Sequence, residues 1–276
     1  LQFDFTLDIY KKILLCFKTK GYEFQTFSEY LTKPKEKVIL LRNDVDRMPE
    51  NALILASIQK SFEIMGSYYF RTVETSMNED IIKEIAGMGH EIGYHYENLD
   101  TVAKGFRSVK NKNHLLDMGI LDFQTQLKRL RELAPIETIC MHGSPISKFN
   151  NKDLWKKFDY TDFGIIGESY IDIDFNEVLY LTDTGRRWDG FNVSVRDKIN
   201  GQQMIWEKNG MVFKTSFDII NAIDNDLLPS KIMMTFHPQR WNQLNSIWCK
   251  ELILQNIKNP VKKLLIHFRD LNWLIA

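Results

Sequence analysis

Apolar residues recur along the chain at two periods, and the two alternate. Over residues 5–20, Leu7, Ile9, Ile13, Leu14 and Phe17 fall at helical spacing, and Gly21 is placed to end that helix. Residues 22–31, with Phe24, Phe27 and Tyr30, read as a short packed connector. The period changes over residues 37–47. Val38, Ile39, Leu40 and Leu41 form a continuous apolar run, the mark of a buried strand, and the run breaks into Asn43, Asp44, Val45 and Asp46. A helix over 49–65 follows, opened by Pro49, carrying Leu53, Ile54, Ala56, Ile58 and Phe62, and closed by Gly66. Next come an aromatic strand at 67–72, a helix over 79–88 capped by Asn78 and ended by Gly89, and a strand at 90–97. Strands and helices alternating at this spacing predict right-handed βαβ units and a parallel sheet, so the strand ends face one way.

The second half continues the alternation less regularly. A longer helix over 114–133 stops before Pro135, and a fourth strand at 138–145 ends in a turn beside His142. A short helical piece begins at Asp153, and two short strands lie within 163–182. A helix over 216–223 and a last core strand at 231–237 precede helical patterns to the end. The stretch 261–276 is amphipathic and is expected to cover the core. No repeat or linker interrupts the pattern, so residues 1–276 read as a single domain, its core at about 38–241 between helical flanks.

Composition narrows the function. With 44% hydrophobic and 26% charged residues the chain is an ordinary globular protein. Its 36 basic and 36 acidic side chains balance, which argues against nucleic acid or an anionic membrane as main partner. Cys16, Cys140 and Cys249 are too scattered for a disulfide framework or a paired-cysteine metal site, so a reducing, cytoplasmic setting is expected. No apolar run approaches the roughly 20 residues of a membrane span.

Five strand ends carry chemistry toward one rim: Asp44 and Asp46, His95 and Glu97, His142, Asp183 with Arg186 and Arg187, and His237 with Arg240. Asp44 and Asp46 are two residues apart, so in extended backbone they share a side. One carboxylate and two imidazoles suit a divalent ion such as zinc and leave a coordination position for water. The remaining carboxylate and histidine then serve as general base and general acid. Each residue also has a plainer reading. Asp46, just before Pro49, suits a helix cap; His142 and His237 suit turn hydrogen bonds; His90, on the opposite rim, suits packing. Arg186 and Arg187 suit surface ion pairs, or with Trp188 a clamp for a sugar or carboxylate.

The Asp44-x-Asp46 pair, the aromatic run Tyr68, Tyr69 and Phe70, and Gly89-His-Glu-Ile-Gly-Tyr-His95 together resemble the polysaccharide deacetylase family, of the carbohydrate esterase family 4 type, over about residues 38–241. The resemblance implies a deformed (β/α) barrel of seven or eight mostly parallel strands, with a zinc-like ion held by one aspartate and two histidines. Carried across, Asp46 and His95 match metal ligands, Asp44 the base, and His237 the acid. The family places its second metal histidine four residues after the first, where this chain has Leu99. Glu97 or His142 is then the replacement, with His142 favoured because a neutral nitrogen preserves the charge of the site. Segments around His142, Thr182–Trp188 and His237–Trp241 resemble a divergent subgroup of bacterial surface-polysaccharide proteins, which commonly has histidine where Asn43 stands. The implied activity is removal of acetate from an N-acetylated sugar, free or nucleotide- or lipid-linked, with Arg186, Arg187, Trp188 and Arg240 gripping it. The rivals are a catalytically silent carbohydrate-binding relative and a hydrolase of a non-sugar amide.

Overall fold

The computed structural model describes residues 3–105, 112–144, 147–189, 194, 199 and 202–275, with side chains to Val261 except at 202 and 203. In chain order the elements are α1 (Leu7–Thr19), β1 (Glu23–Gln25), α2 (Phe27–Thr32), β2 (Val38–Val45), α3 (Pro49–Ser61), β3 (Ser67–Phe70), α4 (Glu79–Gly87), β4 (Glu91–Tyr96), α5 (Asn98–Lys104), α6 (Lys112–Arg131), β5 (Ile136–Met141), β6 (Gly167–Glu168), β7 (Leu179–Thr182), α7 (Gln202–Lys208), α8 (Ser216–Asp224), β8 (Lys231–Phe236) and α9 (Ser246–Ile275). Seven strands run in the order β6-β5-β4-β3-β2-β8-β7, and β1 pairs with β2 off this path. Every pairing is parallel. The sheet curls into a half-barrel whose end strands β6 and β7 do not pair with each other, in keeping with the deformed barrel expected from sequence.

β2 is central and buried along its whole length. Ile39, Leu41 and Val45 face the covering helices, whereas Val38 and Leu40 face the lumen with Tyr69, Cys140 and Met233. The two-residue period then puts Arg42 and Asp44 on the lumen face as well. Gly93 serves the same interior. A Cβ there would lie 2.3 Å from the Tyr69 ring on the neighbouring strand, so only glycine lets that ring cross and reach Thr138 Oγ1 at 3.0 Å.

Several elements differ from the sequence pattern. The stretch 22–31 is not a mere connector: Glu23–Gln25 pairs with β2, and α2 opens on a capping box between Thr26 and Glu29. α5 was not expected, because seven residues show no period. β3 and β5 stop at Phe70 and Met141, short of the expected ends, which leaves Arg71 and His142 just beyond the ladder. α9 docks through Trp248, Glu251 and Gln255 while Ile253, Ile257 and Val261 are exposed. Of the stretch expected to cover the core, all side chains after Val261 lie outside the described residues. Among the described residues no helix is long and apolar enough to cross a membrane.

Candidate metal centre

Parallel pairing puts all C-terminal strand ends on one rim, and six strands deliver a charged or imidazole side chain as the first residue past the ladder. These are Asp46 after β2, Arg71 after β3, Glu97 after β4, His142 after β5, Asp183 after β7 and His237 after β8. His95 lies one residue inside β4, level with Cys140.

Three of these side chains converge. Asp46 Oδ1 is 3.5 Å from His95 Nε2 and 3.4 Å from His142 Nε2. His95 Nδ1 lies 3.0 Å from the Cys140 carbonyl, which fixes the proton on Nδ1 and leaves the Nε2 lone pair facing Asp46. His142 Nδ1 lies 3.0 Å from Glu97 Oε2, at an angle short of a hydrogen bond, and the carboxylate draws the ring proton to that side. Burial pushes the Asp46 carboxyl up, but His95, His142 and His237 outweigh burial and hold it well below the usual carboxylate range. Its Oδ1 is nonetheless buried without a hydrogen-bond partner. One potential ligand atom from each of Asp46, His95 and His142 thus lies within 4.8 Å of the other two.

That arrangement fits a cation. Zinc bonds of about 2.0–2.1 Å at tetrahedral angles put ligand atoms about 3.4 Å apart, the spacing found from Asp46 to each imidazole. A second group, Asp44, His95 and Cys140, also lies close together. It fits less well, because burial pushes the Cys140 thiol well up and both Asp44 oxygens are already engaged.

Glu97 stands behind His142 rather than beside it. Arg71 grips the Glu97 carboxylate through Nη2, at 2.7 and 2.8 Å, and Nε, at 3.1 Å, and also donates to the Asp46 carbonyl at 3.1 Å. Burial raises the Glu97 carboxyl, but His142 and Arg71 bring it down to about 2. The adjacency has a simple origin: the His142 amide donates to the Tyr96 carbonyl at 2.9 Å, so the ends of β4 and β5 lie side by side.

Asp44 is 2% exposed and takes Arg42 Nε and Nη2 at 2.8 and 2.6 Å, with its Oδ2 3.8 Å from His95 Nε2. Arg42 also donates to Tyr170 Oη at 2.7 Å. His237 closes the other side, its Nε2 3.8 Å from Asp46 Oδ2 and its Nδ1 2.6 Å from Asp183 Oδ1. Asp183 is fully buried and also accepts from the His237 amide, Trp241 Nε1 and Arg240 Nη1. Burial raises its carboxyl, but Arg240 and His237 prevail and keep it lowered.

The four side chains expected to grip a sugar are not brought together at this centre. Trp188 is 3% exposed, stacked among Phe5, Phe236 and Trp241 with its Nε1 donating to Ser216, so it is a packing residue. Arg240 is buried and committed to Asp183. Arg187 pairs with Asp189, and Arg186 is buried against Phe5 and Trp248. Conversely, Arg42, Arg71 and the orienting role of Asp183 escaped the sequence. The available signal was an arginine two residues before Asp44, hence on its face, inside an otherwise apolar strand.

No family model and no curated protein matches the chain. Among solved structures, a CE4 family pseudoenzyme from Bacillus anthracis aligns at TM-score 0.41 and 10% identity, over 83% of this chain and 62% of that one. A mutant of that pseudoenzyme with restored enzymatic activity aligns at TM-score 0.40 and 10% identity, over 83% and 64%. The chain thus spans less than two thirds of the length of either. A likeness of this size carries no information about chemistry.

Proposed function

We propose that the chain acts as one domain and is a metal-dependent deacylase. It removes acetate from an N-acetylated sugar, free or nucleotide- or lipid-linked, in the cytoplasmic assembly of a bacterial surface glycan. The observation that carries this reading is the unpartnered Asp46 Oδ1 facing His95 and His142 Nε2 at zinc-ligand spacing, with a buried aspartate-histidine pair alongside. A divalent ion, zinc on the chemistry of these ligands, would be held by Asp46, His95 and His142 and would supply Lewis acidity toward an acyl oxygen. Asp44, its orientation fixed by Arg42, accepts a proton from the attacking water. His237 Nε2 donates one to the leaving amine, and Asp183 holds the ring with that nitrogen toward the rim. Glu97 and Arg71 set the orientation of His142.

A second reading, a sugar-binding relative without catalysis, draws on Asp44 being 2% exposed with both oxygens taken up by Arg42. A panel of N-acetylated sugars, assayed for acetate release with and without chelator, separates the two. The deacylase releases acetate only when loaded with metal. A sugar bound equally well with chelator and never deacetylated would establish the binder.

A further inference from the structure

A second polar site lies apart from the metal centre, in a cavity of about 300 Å³ between the N-terminal segment, the turn after β7 and α9. Three buried side-chain atoms without hydrogen-bond partners belong to its lining residues: Arg186 Nε, Gln255 Oε1 and Asn259 Oδ1. The two amides are fixed in orientation, because Gln255 Nε2 donates to Glu251 at 2.7 Å and Asn259 Nδ2 donates to the Gly185 carbonyl at 2.9 Å. Their oxygens are therefore left as acceptors in need of donors.

Arg186 is the stronger oddity. It is 9% exposed and has no carboxylate within ion-pair distance among the described residues. Its guanidinium lies over the Trp248 ring at 4.7 Å and the Phe5 ring at 5.4 Å, and among the described residues its hydrogen bonds are long 3.3 Å contacts to the carbonyls of Trp248 and Asp4. Burial pulls it down to about 10, against the opposing pull of Glu251 and Asp4. A buried cation is costly without a counter-ion. Exposed Lys214 lines the same cavity, again without an ion-pair partner among the described residues, and half-exposed Phe3 supplies an apolar wall.

We propose that this cavity binds a phosphorylated sugar, with the phosphate against Arg186 and Lys214 and hydroxyl groups donating to Gln255 and Asn259. Its volume sits at the lower end of ligand pockets and suits a monosaccharide. The assignment does not depend on the deacylase reading, since none of the proposed metal ligands lines the cavity.

The test is calorimetric titration of the full, metal-free chain with glucose 1-phosphate, UDP-N-acetylglucosamine, glucose and inorganic phosphate. The expected result is saturable binding of at least one phosphorylated sugar, tighter than phosphate or glucose alone. Preference for the first probe assigns the site to free sugar phosphates, and preference for the second to nucleotide-linked sugars. Arg186→Gln is expected to weaken that binding about tenfold or more, the scale of one lost charged hydrogen bond. Gln255→Leu is expected to weaken the phosphorylated sugar but not inorganic phosphate. Should Arg186→Gln fail to fold, Lys214→Ala, at an exposed position, is expected to cost about threefold. No saturable binding of either phosphorylated sugar up to about 10 mM, a range that covers even weak sites, overturns the assignment. So does phosphate binding as tightly as the sugars, or affinity unchanged in the folded variants.

Discussion

Replacing Glu97 with glutamine tests the support behind His142. The wild-type carboxylate is 6% exposed, gripped by Arg71 at 2.7 and 2.8 Å, and 3.0 Å from His142 Nδ1. Burial alone would raise its carboxyl, yet His142 and Arg71 lower it from the ordinary 4.5 to about 2. At 1.36 kcal/mol per pH unit that drop corresponds to about 3 kcal/mol of folding stability. A lowered carboxyl contributes above its unfolded value and loses the contribution as pH falls. The contribution is thus complete above about pH 4.5 and is lost on the way down through about 2. Urea unfolding of metal-free Glu97→Gln at neutral pH should show a loss of about 3 kcal/mol relative to wild type, and the gap should close as acid protonates the wild-type residue. Zinc affinity, read by competition with a chromophoric chelator, should fall about 10- to 100-fold, as for other removals of a carboxylate behind a metal-bound imidazole. A gap that is absent, or constant from neutral pH down to about 2, would refute the reasoning about Arg71 and His142. Unchanged zinc affinity would refute the orienting role.

Other consequences follow from the same geometry. Arg42→Met strands the buried Asp44 carboxylate and should cost about 3–5 kcal/mol in urea unfolding, with part recovered by adding Asp44→Leu; a neutral single variant would show that the pair is not buried as described. Burial and Arg240 pull His237 down, but Asp183 and Asp46 pull harder and leave it raised above 6.5. Its contribution to stability is therefore full below about pH 6.5 and is lost as pH rises through the higher folded value, so metal-free His237→Gln should lose that decline; an identical pH slope in both proteins contradicts it. Gly93→Ala places a methyl group 2.3 Å from the Tyr69 ring and should lower stability by about 1–3 kcal/mol, with a wild-type melting temperature as the contrary result.

Much of this architecture was legible because a parallel sheet turns a linear pattern into a rim. Once 38–45, 91–96, 136–141 and 231–236 are recognised as strands of one direction, Asp46, His95, His142 and His237 must gather at one end. The third partner of Asp46 was harder, because distance along the chain says nothing about which strands adjoin. His142 follows His95 by two helices, yet β4 and β5 are neighbours, and the bond from the His142 amide to Tyr96 sets it beside Glu97. Trp188 and Arg240 were misread for a different reason. An aromatic or arginine at a strand end looks available in sequence, whereas here both turn inward, to Ser216 and to Asp183. β1 and α5 were missed because three and seven residues are too short to display a period.

The most direct test of the account is metal content by elemental analysis after purification without chelator and reconstitution with zinc, on wild type beside Asp46→Ala, His95→Ala, His142→Ala and Glu97→Ala. The account predicts near-stoichiometric metal in wild type, its loss in the first three variants, and a weaker but measurable site in Glu97→Ala. Absence of metal from wild type after reconstitution, or retention in His142→Ala with loss in Glu97→Ala, would contradict it.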